Sequence, residues 1–281
     1  MDFFQGAVEK SLRWFGRSLV RHDALESLHQ ELDSARALTQ KVDFLLSMPV
    51  EQRAEQLATL RRYFGKSRAQ FLQDLFVLCV TNFKRGGFFV EFGATNGIDI
   101  NNTYLLETDF SWGGILAEPA RIWHEPLRRN RRAAIDTRCV WSKSDEVVEF
   151  TQDGGDPERS GITSLTTAGT DGDRGSPQRY PVQTVSLNDL LSGHGSPTHV
   201  DYLSLDTEGS EHQILEAFDF CRYTVDIITV EHNHTPQRQL LHDLLQRRGF
   251  GRVYEHLSAV DDWYIRRDAS FADLIPTTSL M

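Results

Sequence analysis

Residues 88–103 read FFVEFGATNGIDINNT. The apolar run Phe88-Phe89-Val90 ends in an acid, Glu91, and breaks at once into Gly93-Ala94-Thr95-Asn96-Gly97 before a new segment starts at Ile98. This pattern predicts a buried strand entering a tight glycine turn, which is where an α/β sheet binds an adenosyl cofactor. Taken alone it also fits an ordinary strand and loop, so the flanking sequence has to decide.

Downstream, strand and helix signals alternate, which predicts a mainly parallel sheet with helices on both faces. The strands expected after the turn are Gly114–Ala117, Ala134–Val140, Tyr180–Val185, Val200–Leu205 and Val225–Val230. A closing antiparallel pair is expected over Gly251–His256 and Trp263–Arg266. The helices expected between them are Tyr104–Thr108, Ala120–Arg132, Ser186–Leu191, Ser210–Phe218 and Pro236–Arg248, with Ser186 as an N-cap. A polar excursion over Gln152–Arg179 lacks periodicity and reads as a lid, a substrate loop or a disordered insertion, with order expected only in Gly161–Leu165.

Four of these strands run into polar residues: Glu91 with the glycine turn, Glu118-Pro119, Asp206 with Glu208, and Glu231 with His232. In a parallel sheet such ends share one rim, where ligands bind. Glu118 stands 25 positions beyond Gly93, at the end of the next strand, where a carboxylate can accept both ribose hydroxyls. A dinucleotide site would show GxGxxG so that a pyrophosphate could rest on a helix N-terminus. GATNG has two glycines and an acid before it, which suits the ammonium group of S-adenosylmethionine better than a diphosphate.

Several motifs in order carry a resemblance: Glu91–Gly97, Asn102-Thr103, Trp112–Pro119, Thr163–Leu165, Val185–Leu190, Asp201–Glu211 and Glu231–Asn233. Over residues 86–267 the chain resembles the FkbM family of S-adenosylmethionine-dependent methyltransferases. The turn departs slightly, with Thr95 where Asn is common and Asn96 where Asp is seen. The resemblance implies a class I, Rossmann-like fold with a mostly parallel seven-stranded sheet, and methyl transfer to a hydroxyl, often of a sugar or a glycosylated natural product. In this reading Glu91 and Gly93, Ala94, Thr95, Asn96 and Gly97 hold the methionine end, with Asn102 nearby. Glu118 and Pro119 serve the ribose, Val140, Trp141 and Ser142 flank the adenine, and Asp206 borders the cofactor.

Removing a proton from an alcohol admits two solutions here. Asp206 and Glu231, completed by Glu208 or His232, could hold Mg²⁺, or His232 or Glu208 could act as the base without a metal. Other small-molecule, protein or RNA acceptors, and a scaffold that has lost turnover, are the alternatives.

The 281 residues suffice for one large α/β domain with an accessory segment, expected as 86–281 and 1–85. Residues 86–281 hold 17 Lys/Arg against 30 Asp/Glu, which disfavours binding to a phosphate backbone, and the Arg128, Arg129, Arg131, Arg132 cluster reads as a solvated helix face. Cys79, Cys139 and Cys221 lie far apart in apolar segments and read as buried thiols in a reducing compartment. With no membrane-spanning run or signal core, a cytoplasmic location is expected. Phe3, Phe4, Val8, Leu12, Phe15 and Leu19 alternate with basic residues as an amphipathic helix, able to dock on protein or on the inner face of a membrane. Positions 25, 28, 32, 35, 39, 42 and 46 follow a heptad that would pair with a second copy, giving a homo-oligomer, or with another helix, a simple amphipathic helix being the alternative, and Pro49 ends it. Further helices are expected over Val50–Tyr63 and Ser67–Phe83.

Overall fold

The computed structural model describes residues 56, 58–166 and 176–270. The amphipathic helix of residues 1–21, the heptads of 25–46 and residues 167–175 of the polar excursion lie outside the described residues. The chain separates into two units, Met1–Met48 and Pro49–Met281.

Eleven strands are described: β1 (Phe88–Phe92), β2 (Gly113–Ala117), β3 (Ala134–Asp136), β4 (Cys139–Trp141), β5 (Val147–Gln152), β6 (Gly161–Ile162), β7 (Gln178–Ser186), β8 (His199–Leu205), β9 (Thr224–Glu231), β10 (Phe250–Val253) and β11 (Asp261–Arg266). The helices are α1 (Gln73–Val80), α2 (Tyr104–Phe110), α3 (His124–Asn130), α4 (Leu187–Gly193), α5 (Glu211–Glu216) and α6 (Gln237–Arg247). The main sheet has seven strands in the order β10-β11-β9-β8-β1-β2-β3. Neighbours from β9 through β3 are parallel, whereas β11 runs antiparallel to both β9 and β10. The central strands β1, β8 and β9 are buried at successive positions, as expected of parallel strands in the interior of a sheet.

Register aligns the strand ends. Val90 stands level with Ile115 on β2 and Leu203 on β8, and Leu203 is level with Ile228 on β9. The turns after β1, β2, β8 and β9 therefore emerge along one rim, as the alternating pattern predicts. Beneath it, Val90, Ile115, Leu203 and Ile228 pack with Leu241, Leu244 and Leu245 of α6 in one core. Those three leucines recur at helical spacing on a single face.

Helix α1 belongs to this unit, since Phe76 stacks on Trp263 of β11 at 4.7 Å and meets Tyr254 edge-on at 5.8 Å. The expected domain boundary at 85/86 thus falls after a helix that packs on the sheet. This helix is shorter than Ser67–Phe83: Leu72 takes a left-handed conformation (φ 66°), and Asp74 accepts from Ser67 Oγ at 2.7 Å and from the Arg68 amide at 3.3 Å.

A second sheet, β4-β7-β5-β6, was not expected. The strand predicted over Ala134–Val140 is two strands in different sheets, β3 beside β2 and β4 beside β7. Between them Asp136 folds back on Arg138, accepting from its amide and its Nε at 3.0 Å each, which turns the chain. The excursion is also more ordered than Gly161–Leu165 alone. Strand β5 pairs with both β7 and β6, and Asp153 Oδ1 accepts from the Gly155 and Asp156 amides at 2.9 Å ahead of a 3-10 turn, Pro157–Arg159. Its small core holds Ala120, Cys139, Phe150, Ile162 and Tyr180.

Two surface expectations change. Cys221 is exposed, while Cys79 and Cys139 are buried and free. Arg131 is no part of a solvated face: its side chain is 0% exposed and lies against Glu107 and Glu91. Among the described residues no helix is long and apolar enough to cross a membrane.

Candidate active site

A cavity of about 620 Å³ opens along the rim. The turn after β1 is shaped by Gly93, at φ 70°, where an added Cβ would lie 2.4 Å from the carbonyl oxygen of Asp206. Backbone of the β1 turn and of the β8 turn therefore touch, which only glycine permits. Glu118, 4% exposed, ties the next strand end to the same turn: Oε2 accepts from the Thr95 amide and Oε1 from the Ala120 amide, each at 2.8 Å. Burial pushes its carboxyl up to about 7 despite these bonds. Each oxygen has capacity for a further hydrogen bond, and Glu118 lines the cavity.

Glu91 is placed differently. Its carboxylate accepts from the Asn102 amide at 2.7 Å and from Thr103 Oγ1, with Arg131 Nη1 at 3.9 Å, and it does not line the cavity. It anchors the 101–103 segment beneath the glycine turn. Burial raises its pKa, and Arg131 opposes the rise. Ala94, Asn96, Gly97, Asn102, Trp141 and Ser142 are also outside the lining. Asn96 shapes the turn, its Oδ1 accepting from the Ile98 and Asp99 amides. The Asn102 amide group donates to Ser204 Oγ at 2.9 Å, and its buried Oδ1 has no partner. Of the expected residues, Gly93, Thr95, Glu118, Pro119, Val140, Asp206, Glu208, Glu231 and His232 do share the cavity.

At the β8 and β9 end three carboxylates converge. Asp206, Glu208 and Glu231 each present an oxygen within 4.8 Å of the other two. Glu208 sits at φ 57° in a loop held by Glu211, whose Oε1 accepts from Thr207 N and Thr207 Oγ1 at 2.8 Å and from Gly209 N at 3.1 Å. The turn is thus fixed by Glu211 and not by Glu208, whose carboxylate is left for the cavity. Asp206 is raised well above the carboxylate range by burial and then by Glu208 and Asp261. Glu231 is pushed up to about 12 by burial and then by Asp206. Two adjacent buried carboxylates repel when both are charged, which disfavours ionising the pair together. Glu208 rises to about 7, through burial and Glu211, against the pull of Arg159. Three hard oxygen donors that repel each other when ionised fit a divalent cation such as Mg²⁺.

His232 lines the same wall but offers no free nitrogen. Nδ1 accepts from the His234 amide at 2.9 Å, so Nε2 carries the hydrogen donated to the Asp261 carbonyl at 3.1 Å. The ring braces the β9 turn against β11, and burial lowers its pKa. This geometry removes the reason to expect it as base or metal ligand.

Sequence reasoning missed Gln70, Phe71 and Gln237; the Asp156–Ser160 wall belongs to the excursion read as a candidate substrate loop, without being singled out. The Asp-x-x-Asp run at Asp153–Asp156 was a turn signal that could have located the wall. Nothing in the spacing of Gln70 and Phe71 marked them.

A seven-stranded sheet with this order and its polar rim over β1, β2, β8 and β9 is the fold of the class I methyltransferases. The chain belongs to the FkbM methyltransferase family: residues 91–261 match the methyltransferase FkbM domain. Among solved structures it is similar to precorrin-6y C5,15-methyltransferase from Geobacter metallireducens GS-15, with 10% identity and a TM-score of 0.37 over 68% of this chain and 85% of that one. It is also similar to a methyltransferase from Pyrococcus furiosus, with 12% identity and a TM-score of 0.32 over 70% and 81% of the two chains. No curated protein matches.

Proposed function

We propose that this methyltransferase uses S-adenosylmethionine to methylate a hydroxyl group of a sugar, assisted by a divalent cation. The observation that carries the reading is the trio Asp206, Glu208 and Glu231 in one cavity with the Gly93 turn and Glu118. S-adenosylmethionine supplies a methyl group on a sulfonium, and the acceptor oxygen displaces it in line, leaving a thioether. Glu118 would accept from the ribose hydroxyls and Val140 with Phe150 would offer apolar surface to the adenine, a reading supported by their sharing of the cavity.

A cation at Asp206 and Glu231 would lower the pKa of the acceptor hydroxyl. Glu208, which lines the cavity beside that pair, is the group to take the hydroxyl proton. Seven acids line the cavity against one arginine, Arg159, which favours a neutral, donor-rich acceptor over a phosphorylated one. RNA finds less support for the same reason, and because burial of Arg131 breaks up the arginine cluster. Pairing of copies through the 25–46 heptads, and docking of residues 1–21 on a membrane at a cytoplasmic location, complete the proposal.

The test is transfer of labelled methyl from S-adenosylmethionine to a panel of neutral glycosides, with Mg²⁺ and with EDTA, for the wild type and Glu231→Gln. Transfer that needs Mg²⁺ and is lost in Glu231→Gln is expected. Undiminished transfer in EDTA refutes the cation, and transfer only to non-glycoside acceptors refutes the acceptor class.

A further inference from the structure

Residues ahead of the matched family domain reach into the cavity. Phe71 and Gln70 line it although the domain match begins at residue 91. Phe71 is only half-buried, yet its position is fixed by a dedicated set of contacts. Its amide donates to Gln73 Oε1 at 2.8 Å, and the Nε2 of the same Gln73 side chain donates to Asp261 Oδ2 at 2.8 Å. Gln73 is 2% exposed, so this bridge is shielded from water. Leu72, between them, adopts the left-handed conformation at φ 66°, which a leucine takes only when its surroundings impose it. Its own side chain is buried, leaving Phe71 as the ring of that turn with open surface.

The bridge also says which end of the cavity Phe71 serves. Asp261 stands opposite Glu231 in the antiparallel register of β11 with β9. Glu118 and the glycine turn lie on β2 and β1, with β8 between them and β9. Phe71 is therefore tied to the Glu231 end of the rim, away from the end that Glu118 closes. An aromatic face carries negative π density that attracts polarised C–H groups, and one that keeps open surface beside carboxylates suits a ring with an apolar face and hydroxyl edges.

Resting on the acceptor class proposed above, we infer that Phe71 is a specificity residue, a platform on which the pyranose ring of the acceptor stacks while its hydroxyls face Glu208 and Glu231. Gln73 is a positioning residue that holds this platform. Because residues 70–73 precede the family domain, acceptor choice is set partly outside it.

The experiment is saturation-transfer NMR and titration of a panel of methyl glycosides with the full-length protein loaded with S-adenosylhomocysteine, for the wild type, Phe71→Ala, Phe71→Leu and Phe71→Trp. Phe71→Ala and Phe71→Leu are expected to weaken glycoside binding roughly tenfold or more, with Phe71→Trp near wild type. S-adenosylhomocysteine affinity should be unchanged in all four, which separates a lost platform from a damaged fold. Turnover should show the loss in KM and not in kcat. Wild-type binding in Phe71→Ala, or Phe71→Leu equal to wild type, overturns the stacking role while leaving the acceptor class intact. If the loaded wild type binds no glycoside, the acceptor class itself fails, and the platform with it.

Discussion

A Cβ on Gly93 would stand 2.4 Å from the carbonyl oxygen of Asp206. Backbone of the turn after β1 and backbone of the carboxylate-bearing turn after β8 are therefore in contact. Gly93→Ala must move one turn away from the other and also place alanine at φ 70°. The left-handed conformation alone costs about 1–2 kcal/mol, and the clash adds to it. Urea denaturation is expected to show a loss of at least about 2 kcal/mol, together with weakened S-adenosylhomocysteine binding.

Arg131 holds the floor beneath the turn. Nε donates to Glu107 at 2.9 Å, Nη1 to Asn101 at 2.7 Å and Nη2 to Thr103 Oγ1 at 2.9 Å, beside buried Glu91. Removing one partner of a buried, hydrogen-bonded charge group costs about 3–5 kcal/mol. Arg131→Ala should lose that much in chemical denaturation, and Arg132→Ala, whose side chain makes none of these bonds, should lose under about 0.5 kcal/mol.

Stability should fall as pH rises. Burial lifts Asp74 to about 6 and Glu118 to about 7, both above their unfolded values. Between the unfolded and folded pKa values the native state binds more protons than the unfolded chain, so the stability present at low pH is lost on raising it. Each group contributes on the order of 1 kcal/mol per pH unit across its window. Thermal melts of the ligand-free protein should therefore give a lower Tm at pH 8 than at pH 5.5. An unchanged or rising Tm over that range would contradict the burial of these acids as charged-state penalties.

Mg²⁺ should reverse that trend. Burial and mutual repulsion hold the Asp206–Glu231 pair toward its protonated form, so a cation that enters displaces protons and binds more strongly as pH rises. Added Mg²⁺ is expected to raise Tm more at pH 8 than at pH 6, and to have no effect on Asp206→Asn. Equal shifts in the variant would place the ion elsewhere.

Much of this was legible in the sequence, for definable reasons. Strands β1, β2, β8 and β9 are apolar runs ending in acids, and a parallel sheet brings such ends to one rim, so Glu118, Asp206 and Glu231 could be grouped without coordinates. Glu91 has the same signature, yet it points into the floor toward Asn102 and Arg131, because sequence spacing cannot tell which side of the turn a carboxylate faces. His232 misled in the same way: its nitrogens are occupied by the His234 amide and the Asp261 carbonyl, a tertiary contact with no local signal. The second sheet was hidden because a clasp between Asp136 and Arg138 breaks what reads as one continuous strand.

In the proposed function the rim of this sheet binds S-adenosylmethionine through the Gly93 turn and Glu118. Calorimetric titration of the purified 281-residue chain with S-adenosylhomocysteine is the measurement that decides this. Saturable one-to-one binding is expected, weakened roughly tenfold, or about 1.4 kcal/mol, by Glu118→Ala. Absence of binding to the folded wild type, or an affinity indifferent to Glu118, would contradict it.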